Sequence, residues 1–293
     1  MQNSSAFTLL SENIWKSSYE KEMQLKSKIK ELALNYKIPA QAVLQNFMLE
    51  RLLERISVSK YRNMIILKGG MLIASMIGIN SRTTMDMDAI VRGYPLSDET
   101  IQTAFMDIYA IQLDDGVTLA LVSIIPIRDE DEYGGYRLAV TARHESINTP
   151  LKIDITTGDI ITPEAVQYSF HSSFEEKKIE IWIYNIETIL AEKVETILRR
   201  NVLNTRPRDF YDVYILMKTR RHTINKDIFT AALTATSQKK MSLTALQDTE
   251  RILVAVQSDL LMRQRWDLYC KENFYANDIE FGEVIKALVE ILN

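Results

Sequence analysis

The chain reads MIILKGG at residues 64–70 and SRTTMDMDAIV at residues 81–91. The first segment is an apolar run that ends in two glycines, a pattern typical of a short strand followed by a tight turn. The second segment places Asp86 and Asp88 at the start of another apolar run. Side chains at positions i and i+2 of a strand share a face. We therefore expect both aspartates to point the same way and Met87 to point into the core.

These two motifs have complementary chemistry. Neighbouring carboxylates repel each other unless a cation lies between them, and their hard oxygen atoms suit Mg²⁺. Gly69 and Gly70 let backbone N–H groups approach an anion closely, and the helix predicted over residues 70–77 would add its positive end. A phosphate-binding turn beside a metal-binding carboxylate pair is the minimum equipment for nucleotidyl transfer. Either motif alone is more often an ordinary turn or a solvated strand end.

A third carboxylate belongs to the segment PLKIDIT at residues 150–156. Apolar and polar residues alternate there, which predicts a strand with Asp154 on its polar face. Sites that transfer phosphoryl groups with two Mg²⁺ ions use bridging and flanking carboxylates. Asp154 alone would read as an exposed strand residue, but together with Asp86 and Asp88 it forms a candidate site for one or two Mg²⁺ ions.

Gly69-Gly70, Asp86-x-Asp88 and Asp154 resemble the signature of the polymerase-β-like nucleotidyltransferase superfamily. The longer sequence segments around these motifs resemble a narrower group. This group is the AbiEii/AbiGii-type nucleotidyltransferase toxins of bacterial toxin–antitoxin and abortive-infection phage-defence systems. That resemblance covers roughly residues 20–220 and rests on separated blocks in a fixed order. Besides the glycine and aspartate motifs, the blocks are KIDITTGD at residues 152–159 and AEKVETILRRNVLNTRPRDFYDVYIL at residues 191–216.

The resemblance implies a metal-dependent nucleotidyltransferase that uses a nucleoside triphosphate (NTP). The implied acceptor is RNA, most plainly the 3′ end of tRNA, and the implied partner is a cognate antitoxin. This sequence departs from the superfamily at Gly70, where many nucleotidyltransferases have serine. Ser81 or Thr83 would then have to supply the missing hydroxyl group.

Residues 189–200 have helical periodicity, and Lys193 lies on the apolar side of that helix. A lysine there must extend to solvent, pair with a carboxylate or bind a phosphate. From position alone these alternatives are about equally good; the resemblance implies that Lys193 holds the phosphates of the nucleotide. Arg200 lies near the same face of this helix, two turns after Lys193.

The segment TRPRDFYD at residues 205–212 predicts a helix with Pro207 in its first turn. Asp209 and Asp212 would lie one turn apart on one face, although Asp209 could simply favour the helix N-terminus. The resemblance makes one of them functional, by orienting Lys193 or an arginine, without saying which. Arg82 either contacts a phosphate or pairs with the aspartates that follow it.

The candidate catalytic residues are therefore Asp86, Asp88, Asp154, Lys193, Asp209 and Asp212. The candidate nucleotide-binding residues are Lys68, Gly69, Gly70, Arg82, Thr83, Lys193 and Arg200.

The segment from Arg199 to Arg221 contains seven basic and two acidic residues, a local net charge of +5. Such a patch either binds an RNA backbone or forms a solvated helix face. Its candidate RNA-binding residues are Arg199, Arg206, Arg208, Arg220 and Arg221.

Composition limits the function classes. The 293 residues are 46% hydrophobic and 25% charged, as in an ordinary globular protein of one large domain or two. The net charge of −4 argues against a generally basic nucleic-acid binder. A single cysteine and three histidines make disulfides impossible within the chain and zinc sites improbable. No long apolar run and no signal peptide are recognisable, so we expect a cytoplasmic protein without membrane contact.

The order of predicted elements indicates an α/β (α+β) fold. Helices over residues 12–35 and 40–56 precede a nucleotidyltransferase core with a mixed β-sheet flanked by helices, and an all-helical C-terminal region follows. We expect residues 1–185 to form the N-terminal helices and core, and residues 186–293 a helical domain that contributes to the active site. Within the core, a hairpin is predicted around an acidic loop at 128–135. A long loop over residues 157–173 either lines the site or simply connects elements.

Two other classes of function remain open. The protein could be a nucleotidyltransferase that modifies a small molecule or another protein, and it would then be active without RNA. It could instead be a non-catalytic nucleotide-binding module. Three acids grouped without a use would destabilise the fold, which argues against the second alternative.

Overall fold

The computed structural model describes residues 3–95, 97–127 and 134–293, with side chains described from residue 19 onward. Within these residues, seven strands form one sheet in the order β3-β4-β5-β2-β1-β7-β6. The strands are β1 (Ile65–Lys68), β2 (Asp86–Val91), β3 (Val117–Ile127), β4 (Gly135–His144), β5 (Ile147–Thr156), β6 (Val166–His171) and β7 (Lys178–Ile183).

The sheet is mixed. Strand β2 runs antiparallel to β1 and parallel to β5, and β1 runs parallel to β7. The β3–β4, β4–β5 and β6–β7 pairs are antiparallel. The three strands that carry the sequence motifs, β1, β2 and β5, are therefore neighbours in the middle of the sheet.

Helices precede, flank and follow the sheet. Those of the described chain are α1 (Asn3–Tyr36), α2 (Ala40–Val58), α3 (Gly69–Ile77), α4 (Asp98–Tyr109), α5 (Ile186–Arg200), α6 (Pro207–Arg220), α7 (Lys226–Lys239), α8 (Leu243–Gln247), α9 (Thr249–Ser258), α10 (Leu260–Glu272) and α11 (Phe281–Leu292). None of them combines the length and apolar character needed to cross a membrane.

One face of the central strands is packed and the other is open. Met87 and Ala89 of β2 are fully buried, as are Ile153 and Ile155 of β5. Asp86, Asp88 and Asp154 alternate with these residues and are only partly buried. This alternation is what the sequence predicts for a half-buried strand, and it places the acids on the face that helices leave open.

The predicted fold class is confirmed: a mixed sheet flanked by helices, preceded by helices and followed by a region that is helical throughout its described residues. Ser97 caps α4, because its side chain accepts a hydrogen bond from Thr100 N. The prediction of a loop over the whole of residues 157–173 was wrong, since β6 lies within it. In β6 only Phe170 is buried, so this edge strand lacks the apolar alternation that reveals a strand. Most of the predicted acidic loop, residues 128–133, lies outside the described residues.

Candidate active site

Two of the predicted acids lie in one row that crosses the sheet. In the strand register, Lys68 of β1 lies opposite Asp88 of β2, and Asp88 lies opposite Asp154 of β5. Asp154 in turn lies opposite Arg137 of β4. These four side chains belong to cross-strand neighbours on the open face. Asp86 lies two residues before Asp88 on that face, so the structure brings together all three predicted carboxylates.

Gly69 makes close contact between the turn and the acids possible. Its φ angle is +70°, and a Cβ atom built on it would lie 2.2 Å from Asp88 Oδ2. Both the backbone conformation and the lack of space therefore require glycine. Helix α3 begins at this residue, so its free N–H groups open toward the carboxylates.

The surroundings of Gly70 account for the absence of the serine that many other nucleotidyltransferases have at this position. A Cβ atom on Gly70 would lie 2.9 Å from Thr84 Oγ1 and 3.1 Å from Arg82 Nη2. Thr84 lines the cleft, whereas Ser81 and Thr83 do not line it. The hydroxyl group nearest the position of the absent side chain is therefore that of Thr84, one residue beyond the predicted Thr83.

The environment of Asp88 disfavours the charged form of its carboxyl group. Burial raises the pKa of its carboxyl group, and the negative charges of Asp154 and Asp86 raise it further, against the lowering effect of Lys68 and Lys193. A carboxylate that is costly to ionise in the free protein gains the most from a bound cation. This is the chemical property expected of a metal ligand.

Two basic side chains, which the sequence analysis did not select, hold the other acids. Arg137 binds Asp154 through two hydrogen bonds, Nε to Oδ1 and Nη2 to Oδ2, each 2.8 Å long. Lys152 Nζ donates to Asp86 Oδ2 at 2.7 Å. The signal for Lys152 was its place on the same strand face as Asp154, whereas Arg137 has no local motif. Both act as counterions for the carboxylates.

The donor set fits a divalent cation in its chemistry. Three carboxylates on neighbouring strands supply hard oxygen atoms, and two of them are neutralised by basic side chains that a cation could displace. In this arrangement no three acidic, histidine or cysteine side chains of the described residues converge closely enough to hold a metal ion. Asp86, Asp88 and Asp154 would hold the ion after Lys152 and Arg137 have moved away.

Lys193 reaches the cleft from α5 and is held by two acids of α6. Its Nζ lies 2.6 Å from Asp209 Oδ1 and 3.1 Å from Asp212 Oδ2. Burial alone would lower the pKa of Lys193, but these two carboxylates raise it above the ordinary value. Of the three alternatives for this lysine, the structure shows the ion pair, and the ammonium group also lines the cleft.

Asp212 is fully buried and joins two basic groups. Its Oδ1 accepts a hydrogen bond from Arg82 Nε at 2.7 Å, while its Oδ2 faces Lys193. Burial alone would raise the pKa of Asp212, but Arg82 and Lys193 lower it. Arg82 therefore pairs with Asp212, and neither Asp86 nor Asp88 is its partner. Asp209 and Asp212 both orient Lys193, and Asp209 alone of the two lines the cleft.

Lys68 is anchored by a residue from the loop that follows β5. Its Nζ lies 2.5 Å from Asp159 Oδ2, which also accepts a hydrogen bond from Tyr184 Oη at 2.9 Å. Burial alone would raise the pKa of Asp159, but Lys68 and Lys239 lower it. The sequence analysis missed Asp159 although it ends the KIDITTGD block. This carboxylate fixes Lys68 beside the glycine turn.

These groups surround one cleft of about 420 Å³. It lies where the sheet meets the helical C-terminal region, so both parts of the chain supply its walls. The polar residues that line it are Lys68, Arg82, Thr84, Asp86, Asp88, Arg137, Lys152, Asp154, Thr156, Tyr184, Glu192, Lys193, Arg206, Arg208 and Asp209, together with Gly69 and Gly70.

Several predicted basic residues do not line this cleft. Arg200 lies at the end of α5 with its Nε buried, and Arg199 Nε donates to Glu195 Oε1 at 2.8 Å. Arg220 donates to the carbonyl oxygen of Met76, and Arg221 pairs with Glu290. Of the five candidate RNA-binding arginines, the structure brings Arg206 and Arg208 to the cleft.

The fold of the chain is similar to that of a solved nucleotidyltransferase toxin. MenT4, a nucleotidyltransferase toxin from Mycobacterium tuberculosis H37Rv, superposes with a TM-score of 0.53 at 16% identity, covering 91% of this chain and 98% of that one. JHP933 from Helicobacter pylori superposes with a TM-score of 0.44 at 18% identity, covering 87% and 91%. No curated protein matches the chain at a significant level.

The family model "Nucleotidyl transferase AbiEii toxin, Type IV TA system" matches residues 51–287. The matched span contains the glycine turn, the three carboxylates of the cleft and the ion-paired lysine of α5. The chain therefore belongs to the AbiEii nucleotidyltransferase toxin family of type IV toxin–antitoxin systems.

Proposed function

We propose that this protein transfers a nucleotidyl group from an NTP to the 3′ end of an RNA, with tRNA as the preferred acceptor, and that Mg²⁺ is required. The observation that supports this most strongly is the row formed by Lys68, Asp88 and Asp154, because two carboxylates lie there beside the glycine turn, with Asp86 two residues from Asp88 on the same strand face. Such a site suits reaction at a phosphorus atom next to bound cations.

In this proposal the triphosphate lies over the glycine turn. The N–H groups at the start of α3 and the ammonium groups of Lys68 and Lys193 neutralise its charge. Arg206 and Arg208 add two guanidinium groups from the helical region. We propose that residues 186–293 form a separate helical domain whose contribution to catalysis is this basic wall.

The reaction joins the acceptor to the α-phosphate. The acceptor hydroxyl loses its proton to solvent, and its oxygen atom forms a bond to the α-phosphorus while the bond to the pyrophosphate oxygen breaks. Pyrophosphate leaves with the electron pair of the broken bond. When bound to the three aspartates, Mg²⁺ would lower the pKa of the hydroxyl and stabilise charge on the phosphates. Asp154 borders the side from which the acceptor comes, and Lys193 stabilises the departing pyrophosphate.

Modification of the 3′ end of tRNA would stop translation, which accounts for a toxin. The family implies an antitoxin partner and a nucleotide substrate. We propose phage defence by abortive infection as the setting, since growth arrest of an infected cell limits the spread of phage.

The test is to incubate the purified chain with each α-labelled NTP, Mg²⁺ and total RNA. We expect label in the tRNA band, and none after periodate treatment of the RNA, which destroys the terminal cis-diol. An Asp86→Ala, Asp88→Ala variant serves as the inactive control. Label on RNA from that variant would refute the assigned carboxylates.

The same assay separates the alternatives. Label on protein would favour modification of the enzyme itself or of a partner, and transfer only to low-molecular-weight material would favour a small-molecule acceptor. A protein that binds NTP but transfers nothing to any of these acceptors would be the non-catalytic module.

A further inference from the structure

The open face of the sheet continues beyond the carboxylates across β5, β4 and β3. The row that contains Asp154 extends to Arg137 and then to Ile125. The neighbouring row runs from Asp86 to Lys152 and on to Ala139. This face is therefore a direct extension of the floor of the cleft.

The charge of the described strands on this face suits a polyanion. Within the described strands β3, β4 and β5, Asp154 is the one acidic residue, and Arg137, Arg143 and Lys152 provide three positive charges. Residues 137, 139, 141 and 143 alternate with the buried residues of β4, so Arg143 shares the open face with Arg137. The positive charge suits contact with a nucleic-acid backbone.

The outer part of the same face is apolar. Ile125 is 56% exposed although it lies opposite Arg137 in the ladder. No residue of β3 carries a charge over eleven positions, which is unusual for the edge strand of a sheet. Exposed apolar side chains beside basic ones provide a surface for the faces of unstacked bases.

The geometry of the reaction determines the side of the carboxylates from which the acceptor approaches. In an in-line displacement the attacking oxygen and the leaving pyrophosphate lie on opposite sides of the α-phosphorus. Lys68 and Gly69, which bind the triphosphate in the proposed function, lie on the β1 side of the carboxylates. The acceptor hydroxyl therefore has to approach from the β5 side. Two strand spacings, about 10 Å, separate Asp154 from Ile125.

We propose that the open face of β3, β4 and β5 binds the single-stranded 3′ end of the RNA acceptor. We name the surface made by Ile125, Arg137, Ala139, Arg143 and Lys152 the acceptor shelf. The proposal rests on the proposed function and specifies where its substrate lies. Arg143 contacts a backbone phosphate, Ile125 packs against a base, and Arg137 lies between them and the reacting end.

The test compares shelf variants with matched controls in the full-length protein. Ile125→Glu adds a negative charge to the shelf, and its control Val166→Glu makes the same change on the opposite edge strand, β6. Arg143→Ala removes a shelf cation, and its control Arg251→Ala removes an exposed arginine of α9. The probe is a 5′-fluorescein-labelled single-stranded RNA with a free 3′ hydroxyl.

For Ile125→Glu we expect the KM for RNA to rise roughly tenfold, the size expected for loss of one base contact, while the KM for NTP stays within twofold or so. For Arg143→Ala we expect the slope of log K for RNA binding against log salt to become shallower by about 0.7. Both controls should match the wild type in both quantities.

The outcomes separate the shelf from the proposed function. A wild-type protein that labels RNA, with both shelf variants equal to it in KM and salt slope, would overturn the shelf and leave the proposed function standing. A wild-type protein that labels no RNA would overturn both. If Ile125→Glu instead dissociates an oligomer and leaves the KM for RNA unchanged, the face belongs to a second copy of the chain and the proposal is wrong.

Discussion

Asp212 Oδ1 accepts a hydrogen bond of 2.7 Å from Arg82 Nε, and neither side chain is more than 2% exposed. The pair joins the segment before β2 to α6, while Asp212 also faces Lys193. Removing one partner of a buried ion pair leaves the other charge in a poorly solvated place. The sequence left the roles of Asp209 and Asp212 open, and from these contacts we infer that Asp212 is the structural acid of the two.

We predict that Asp212→Ala lowers the free energy of unfolding by about 3–5 kcal/mol, because Arg82 loses its counterion and Lys193 loses one of two. Asp209→Ala should cost less, since Lys193 keeps Asp212. Urea denaturation of both variants measures the difference. Equal losses of stability, or none in Asp212→Ala, would contradict this assignment of roles.

Arg137 gives a prediction about cation affinity. A divalent ion has to displace its guanidinium from Asp154, so we expect Arg137→Gln to bind Mn²⁺ more tightly than the wild type in the absence of nucleotide. Titration calorimetry measures this without any turnover. Arg143→Gln, on the same strand face but without contact to a carboxylate of the cleft, is the control and should bind Mn²⁺ like the wild type. Unchanged affinity in Arg137→Gln would mean that the guanidinium does not compete with the ion.

The glycine turn gives a prediction about shape. Gly69→Ala introduces a Cβ atom 2.2 Å from Asp88 Oδ2 at a φ angle of +70°. We expect a loss of stability of about 1–3 kcal/mol from backbone strain and a fall in transfer rate of at least about a hundredfold from the displaced carboxylate. The control is Gly282→Ala in α11, where an added Cβ atom meets nothing within 4 Å. That variant should stabilise the helix by roughly 0.5–1 kcal/mol.

Asp88 gives a prediction about pH. Burial and the charges of Asp154 and Asp86 raise the pKa of its carboxyl group above the ordinary 3.8. The unfolded state therefore ionises first, and the stability associated with protonated Asp88 is lost as the pH rises through the raised value.

We thus expect Asp88→Asn to stabilise the metal-free protein at neutral pH by roughly 0.5–2 kcal/mol while abolishing transfer. The difference from the wild type should shrink as the pH falls toward 4 or so. Denaturation in EDTA at a series of pH values measures it, with the exposed Asp267→Asn of α10 as the control. A variant less stable than the wild type at neutral pH would contradict the prediction.

Local patterns were enough to predict the acids and the turn. Asp86, Asp88 and Asp154 lie in strands whose alternation is visible in the sequence, and Gly69 follows an apolar run. Lys193 was recognised because a lysine on an apolar helix face needs a partner. These features depend on neighbours within a few positions of the chain, which is the range over which periodicity carries information.

The counterions depend on neighbours far along the chain. Arg137 and Asp154 are 17 residues apart, Lys152 and Asp86 are 66 apart, and Lys68 and Asp159 are 91 apart. Strand register brings each of the first two pairs together, and register cannot be read from one strand alone. The basic cluster of residues 199–221 is the opposite case: its members are near in sequence, but only Arg206 and Arg208 of them line the cleft.

The most direct test of the account is transfer from an NTP labelled in the α-phosphate compared with the same NTP labelled in the γ-phosphate. The account predicts that purified protein with Mg²⁺ transfers α-label to RNA and releases γ-label as pyrophosphate, and that Asp86→Ala, Asp88→Ala does neither. Transfer of γ-label to the acceptor would make the protein a kinase, and α-label transfer that persists in the double variant would place the active site elsewhere. Either result would contradict the account.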